Sequence, residues 1–451
     1  MRFGSGWRGL DMRSRQFLTG ELIKAGALEI GDGYRAKNSE LSNDGLPFAR
    51  AGNIQDGFQF DGADRFPIDE LKRVGRKVSL PGDVVFTSKG TVGRFAFVGP
   101  ETEQFVYSPQ LCFWRSIDVD VIDPRYLFFW MRGSEFANQV DYLQHQTDMA
   151  AYVSLKDQRQ MRMSLPEIDV QRDIARTLGS IDDKIANNRV LAADLETMAR
   201  TIFKSWFVDF DPVKAKMEGR APAGMDADTA AMFPDTLVES ELGVIPEGWK
   251  FGTLASKSDL NPESWTARNH PDSILYADLA GTDRGQIVET KAFDWADAPS
   301  RARRVLRPGD TIVGTVRPGN RAYSYVGVDD LTGSTGFAVL RPHAPSLRSF
   351  IYHAATADEA IDRLANLADG AAYPAVRPDV VAATPVVVAP DSVIDGFAKI
   401  TQPLLDWMVA SHAENTKLAQ LRDTLLPRLI SGKLPLPVAP PEAEPPTKRT
   451  S

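Results

Sequence analysis

Up to Pro166 the apolar residues fall in short runs with a period near two, the spacing of strands. Beyond it they return every three or four residues, the spacing of a helix. Ile174, Leu178, Ile181, Ile185, Ala192, Leu195, Ala199, Ile202 and Trp206 mark one apolar seam, with Asn188 as its polar position. The same change of period follows Pro385. Phe397, Ile400, Leu404, Trp407, Leu418, Leu421 and Leu425 mark a second seam, interrupted by Ser411 and Glu414. Seams held over this many turns predict two long helices packed as a coiled coil rather than lying on a surface. Pro403 predicts a kink in the second helix or a late start to it.

A strand-to-helix change that occurs twice points to a repeat. An offset of 227 residues lays "VGRKVSLPGD" (Val74–Asp83) on "RARRVLRPGD" (Arg301–Asp310). With small shifts, "YSPQLCFWR" (Tyr107–Arg115) matches "GSTGFAVLR" (Gly333–Arg341), and "MAAYVSLKDQ" (Met149–Gln158) matches "GAAYPAVRPD" (Gly370–Asp379). In the helices Asn188 falls on Asn415 and Leu191 on Leu418, while Trp7 and Trp249 stand at equivalent domain starts. The expected order is a strand-rich domain over 1–166, a helical segment over 167–210, a linker of little periodicity over 211–244, a second strand-rich domain over 245–385, a second helical segment over 386–434, and a Pro-rich disordered tail over 435–451.

A length of 451 residues fits this two-domain reading. The single cysteine, Cys112, excludes a disulfide framework and fits a reducing interior. No signal peptide and no long apolar run is visible, so the expectation is a cytoplasmic protein without a membrane partner. The five histidines are scattered, and no metal-ligand spacing, phosphate-binding lysine loop or nucleophile elbow is present. "GSGWRG" (Gly4–Gly9) lacks the preceding strand that a dinucleotide loop needs. One catalytic alternative stands: Asp272, Glu289 and Lys291 fit a loose pattern of two carboxylates and a lysine that could hold Mg²⁺ in a nuclease.

The net charge is −8, yet positive charge is concentrated in two matched places. Leu71–Arg94 carries Lys72, Arg73, Arg76, Lys77, Lys89 and Arg94 against Asp83, and Arg301–Arg321 carries Arg301, Arg303, Arg304, Arg307, Arg317 and Arg321 against Asp310. Matched basic islands in an acidic chain point to two phosphate-facing surfaces. "PGD" itself reads as a turn that starts a strand. The loops that follow, "TSKGTVGR" and "GTVRPGNR", combine close-approach glycines with side chains able to meet base edges. Candidate DNA-binding residues are therefore Arg76, Lys77, Ser88, Lys89, Thr91, Arg94, Ser108 and Gln110 in the first half. In the second they are Arg303, Arg304, Thr315, Arg317, Asn320, Arg321, Ser334 and Thr335.

The chain resembles the DNA-specificity subunit of type I restriction–modification systems, over nearly its whole length to about Leu434. The resemblance rests on "PGDVVFTSKGTVGR", "IARTLGSIDDKIANNRVLAADLETMARTIFKSWFVDFDPVKAKMEGR", "ESELGVIPEGW" and "LRDTLLPRLISGKL". It implies an α+β (mixed α/β) chain with two target-recognition domains related by a pseudo-twofold axis. Two helices, packed as an antiparallel coiled coil, would serve as spacer and as docking surface. Each domain would read one half of a split site in double-stranded DNA. Catalysis would belong to partners: two modification (methyltransferase) subunits and, through the complex, restriction subunits, which would bind S-adenosylmethionine, ATP and Mg²⁺, leaving this chain without a cofactor. Beside the nuclease, a coiled-coil assembly scaffold without DNA contact is the other rival.

Overall fold

The computed structural model describes residues 15–55, 57–89, 92–144, 153–240, 243–370 and 373–434. Trp7 and the tail over 435–451 lie outside them. The chain divides into two units, the first formed up to Ile185 and again from Lys417, the second by Ala186–Thr416. The division falls inside both long helices.

In the first unit the main strands are β1 (Arg15–Leu18), β2 (Leu28–Asp32), β3 (Leu46–Ala49), β4 (Val84–Thr87), β5 (Phe95–Phe97), β6 (Val106–Tyr107), β7 (Leu111–Ser116) and β8 (Arg162–Leu165). A four-stranded antiparallel sheet runs β2-β7-β4-β5. β1 pairs with β8, and β3 lies parallel to β6. Helix α1 (Pro124–Met131) starts on Asp123, whose carboxylate accepts from the Arg125 and Tyr126 amides, and Pro124 occupies the first turn, where no amide is needed. Its buried face, Tyr126, Leu127, Trp130 and Met131, packs with Trp114 of β7 and Phe136. Trp130 and Phe136 meet at 5.4 Å, near edge-to-face.

The second unit repeats this plan. Its main strands are β9 (Lys250–Thr253), β10 (Ser258–Leu260), β11 (Ser273–Ala277), β12 (Lys291–Asp294), β13 (Ala302–Leu306), β14 (Thr311–Gly314), β15 (Tyr323–Tyr325), β16 (Leu331–Ser334), β17 (Phe337–Pro342) and β18 (Pro385–Val388). The order β10-β17-β14-β15 matches β2-β7-β4-β5, β9 pairs with β18, and β11 lies parallel to β16. Here β12 and β13 extend the parallel pair into a second four-stranded sheet, whereas in the first unit Arg65–Phe66 extends it to three strands.

The long helices are α2 (Ile168–Phe207) and, after α3 (Leu347–Thr356), α4 (Asp391–Ile430). In the first unit, Ile174 and Leu178 of α2 share a core with Leu426 and Leu429 of α4, and Asp182 bridges Arg422 at 2.9 Å and Arg132 at 3.0 Å. In the second, Phe203 and Phe207 of α2 meet Phe397 of α4 at 6.0 and 5.1 Å. Within each unit the two helices therefore run antiparallel. Asn188 and Asn415, equivalent in the repeat, touch each other: Asn188 Nδ2 donates to Asn415 Oδ1 at 3.0 Å and to Glu414 Oε2 at 2.7 Å. One polar pair in an apolar seam fixes register, because sliding would bury both amides unpaired.

The seam of α2 lies where its periodicity puts it, but that of α4 differs by about one residue. The buried positions are Phe397, Thr401, Leu405, Met408, Ser411, Asn415, Leu426 and Leu429, whereas Ile400, Trp407 and Leu421 are exposed. Leucines on adjacent positions make two seams equally apolar in sequence. The helix also starts at Asp391 and continues through Pro403, so Pro403 does not mark a late start. The carbonyl deprived of its partner is that of Lys399, an exposed residue whose backbone water can serve. The segment read as a linker of little periodicity folds into short elements: helices Asp211–Met217 and Ala227–Ala231, and a hairpin of Leu237–Ser240 with Gly243–Pro246. Val213, Phe233 and Ile245 bury themselves in the second unit's core.

Candidate nucleic-acid interface

The turn before each central strand is built on a buried carboxylate. Asp83 accepts from the Leu80 amide at 2.9 Å, from Tyr107 Oη at 2.6 Å, and from Arg115 Nε and Nη2 at 2.6 and 2.7 Å. Burial, with Asp83 alongside, pushes the Tyr107 hydroxyl well above its ordinary range, so it remains a proton donor. In the second unit Asp310 accepts from the Arg307 amide at 2.8 Å and from Arg341 Nε and Nη2 at 2.8 and 2.9 Å. The repeated "PGD" thus ties the start of β4 or β14 to the arginine of β7 or β17. Sequence reading took Asp83 and Asp310 as turn residues only, although the arginines stood in the same duplicated segments.

At the opposite end of these strands the following loop is stitched to its neighbours in the same way in both units. The Ser88 amide donates to Gln110 O at 3.0 Å and the Val153 amide to Ser88 O at 3.1 Å. Correspondingly, the Thr315 amide donates to Gly336 O at 2.8 Å and the Val376 amide to Thr315 O at 2.9 Å. Further bonds close each edge: Gln110 Oε1 accepts from the Ala51 amide at 3.2 Å, and Arg301 O accepts from Thr335 at 2.8 Å. This end of each unit brings several candidates together.

Their roles in the frame differ. The hydroxyls of Ser88, Ser108, Thr315 and Ser334 are buried, so they sit inside the stitching rather than on its surface. Arg94, exposed, reaches Ala51 O at 3.4 Å and Ile54 O at 3.3 Å. Its equivalent Arg321 is paired with Asp358 and, at 3.4 Å, with Asp362; the bond to Asp358 holds its guanidinium above the usual range. Lys89, Gln110, Arg317, Asn320 and Thr335 are exposed at the edge. Thr91 lies outside the described residues. Tyr373, not foreseen as a site residue, is 71% exposed, and the Arg317 guanidinium lies 4.7 Å from its ring centre. The signal for it was the tyrosine repeated in "AAY".

The basic islands are partly neutralised by acids remote in sequence. Arg76 pairs with Glu29 at 2.9 Å, and Lys77 with Asp32 and Gly33 O, both at 2.8 Å. Arg303 instead lies 4.5 Å over Trp295, whose ring stacks on His270 at 4.3 Å. Arg304 has Ser264 Oγ at 3.3 Å but no carboxylate, and burial pulls its guanidinium down. The nuclease alternative fails on geometry. In the β11–β12 ladder Ser273 faces Asp294 and Tyr276 faces Lys291, so Asp272 and Lys291 are at opposite ends, about 13 Å apart along the strand. Among the described residues no group of three His, Cys, Asp or Glu is placed to hold a metal.

No protein-family profile matches the chain. It is 20% identical over 421 aligned positions to the type I restriction enzyme HindI specificity subunit of Haemophilus influenzae, covering 81% of this chain and 90% of that one. It is 21% identical over 384 positions to the MjaIX specificity subunit of Methanocaldococcus jannaschii, covering 81% and 80%. The type I restriction–modification S subunit of M. genitalium shares its fold, with a TM-score of 0.57 at 12% identity over 94% of this chain and 97% of that one. The chain is a homologue of type I restriction enzyme specificity subunits. In this homologue the two strand-rich domains and two long helices follow from the sequence periodicity. No described helix is long and apolar enough to cross a membrane.

Proposed function

We propose that the chain is a non-catalytic DNA-specificity subunit whose two strand-rich domains each read one part of a bipartite duplex target, and whose long helices dock modification subunits. One observation carries this reading. The loops after β4 and β14 hang on the same hydrogen-bonded frame but carry different side chains, "SKGTVGR" against "TVRPGNR". An identical mount with unlike contents suits two readers of unlike sequences, since base edges are distinguished by side chains and not by the frame. Lys89, Gln110, Arg317, Asn320 and Thr335 are the base-side candidates, with Arg303 and Arg304 facing phosphates. For docking, Val190 and Met198 on α2 and Trp407 on α4 leave 63%, 54% and 58% of their surface uncovered within one unit, which fits a surface awaiting protein partners.

Selection of bound duplexes from a random pool tests the reading, using the full chain assembled with its modification subunits, with and without Mg²⁺. Two short specified blocks separated by unspecified base pairs are expected, with no strand cleavage by the chain alone. Recovery of no preferred sequence, or cleavage that needs Mg²⁺ and no partner, would overturn it.

A further inference from the structure

The second unit carries a cationic recess at the far end of β14 from the reading loop, four residues or about 13 Å away. It is a cleft of about 200 Å³ lined by Arg307, Gly309, Asp310, Arg341, His343 and Arg348, among others. Most of its charge is already balanced. Arg341 is held by Asp310 and Glu263, Arg307 lies 3.1 Å from Glu263, and His343 Nε2 lies 3.2 Å from Asp259. Arg348 is the exception. Its guanidinium is partly buried and has no hydrogen bond or ion pair to any described residue.

The backbone is shaped to admit it. Gly309 has φ +97°, and a Cβ there would stand 2.4 Å from Arg348 Nε, so a side chain would meet both strain and collision. The equivalent turn of the first unit is filled otherwise. A Cβ on Gly82 would meet the Pro124 side chain at 3.5 Å, and the neighbouring Arg125 is engaged by Asp183 at 3.0 Å. The second copy of the turn thus keeps the buried aspartate and leaves its neighbouring arginine, Arg348, without an ion-pair partner among the described residues. Withdrawing a guanidinium from water is unfavourable unless an acceptor replaces the water, and its planar fork matches the oxygens of a phosphate in bidentate fashion.

We propose that this cleft is an anion site for a phosphate group, gripped by Arg348 with Arg307 and His343 at its rim. The chemistry is the same whether the group is free phosphate, a phosphomonoester or a backbone phosphate of DNA. The site stands apart from the reading loops, and the proposal holds whether or not those loops read bases.

The test is calorimetric titration of inorganic phosphate into the full chain at constant ionic strength, with chloride as control. One saturable site is expected for the unaltered chain. R348Q should weaken it at least tenfold, R348K should weaken it less, and R125Q should leave it unchanged. A second arm finds the source: if DNA supplies the phosphate, R348Q lowers the salt slope of duplex binding by about one; if the ligand is free, duplex binding is unaltered. The proposal is overturned if the unaltered chain shows no saturable phosphate binding. It is equally overturned if R348Q, with an unfolding midpoint matching the parent, binds phosphate as well.

Discussion

In the first unit Asp83 is wholly enclosed, sharing its oxygens between Arg115, Tyr107 and the Leu80 amide. In the second, Asp310 is as deeply buried, but Gly333 stands in place of the tyrosine and Arg341 is in direct contact with Glu263, where Arg115 has Glu29 at 3.6 Å. The same strand order surrounds both. Duplication has preserved the element that aims the central strand and left its surroundings to drift. The conserved mount and the changed surroundings recur at the other end, where the loops after β4 and β14 hang from matched amides and present unlike side chains.

The two turns should differ most when their aspartates are removed. Asp83→Ala leaves Arg115, whose side chain is 9% exposed, with Glu29 at 3.6 Å and takes the acceptor from the buried Tyr107 hydroxyl, and should cost the first unit about 3–5 kcal/mol. Asp310→Ala leaves Arg341 with Glu263 and should cost about half as much. Denaturant unfolding followed separately for each unit reads both, and equal costs would mean the two turns are loaded alike.

A second contrast depends on pH. His353, on α3 of the second unit, is fully buried with neither ring nitrogen bonded, and burial, aided by Arg200, pulls its pKa down to about 3. The unfolded chain binds a proton near pH 6.5 that the folded unit refuses, so stability is complete above that pH and falls toward pH 3. The loss should be about 2 kcal/mol between pH 7 and 5. His353→Leu should abolish this component; persistence of the same acid slope in that variant would refute the assignment.

The paired asparagines come next. Asn188→Leu leaves Asn415 facing a hydrocarbon and should cost about 1–2 kcal/mol, while Asn188→Leu with Asn415→Leu should regain much of that stability. A double-mutant cycle measures the coupling, and additive effects would mean that the pair does not lock register. The smallest expected change is in salt dependence. Arg303→Ala with Arg304→Ala should reduce the slope of log affinity against log salt by up to about two, with base preference untouched. An unchanged slope would make these arginines structural.

Periodicity exposed the architecture because it depends on local spacing. The seam of α2 is legible from Ile174 to Trp206 since polar residues flank it. The seam of α4 slips because Leu404 and Leu405, and again Leu425 and Leu426, offer two adjacent apolar tracks, and only contact with α2 and the strand domain chooses. Charge was harder. The island at Arg76 and Lys77 looks unopposed within its own stretch, yet Glu29 and Asp32 come to it from β2 across the sheet. Burial likewise separates residues that look alike in sequence: Ser88 and Lys89 are neighbours in one loop, but Ser88 turns inward and Lys89 outward.

Whether each unit reads its own block of DNA shows in the sequences selected by Lys89→Ala and by Arg317→Ala, each in the full chain assembled with modification subunits. Lys89→Ala is expected to relax positions in one block only and Arg317→Ala positions in the other only, with the separation of the blocks the same in both. Relaxation of the same block by both substitutions, or of neither block by either, would contradict that expectation.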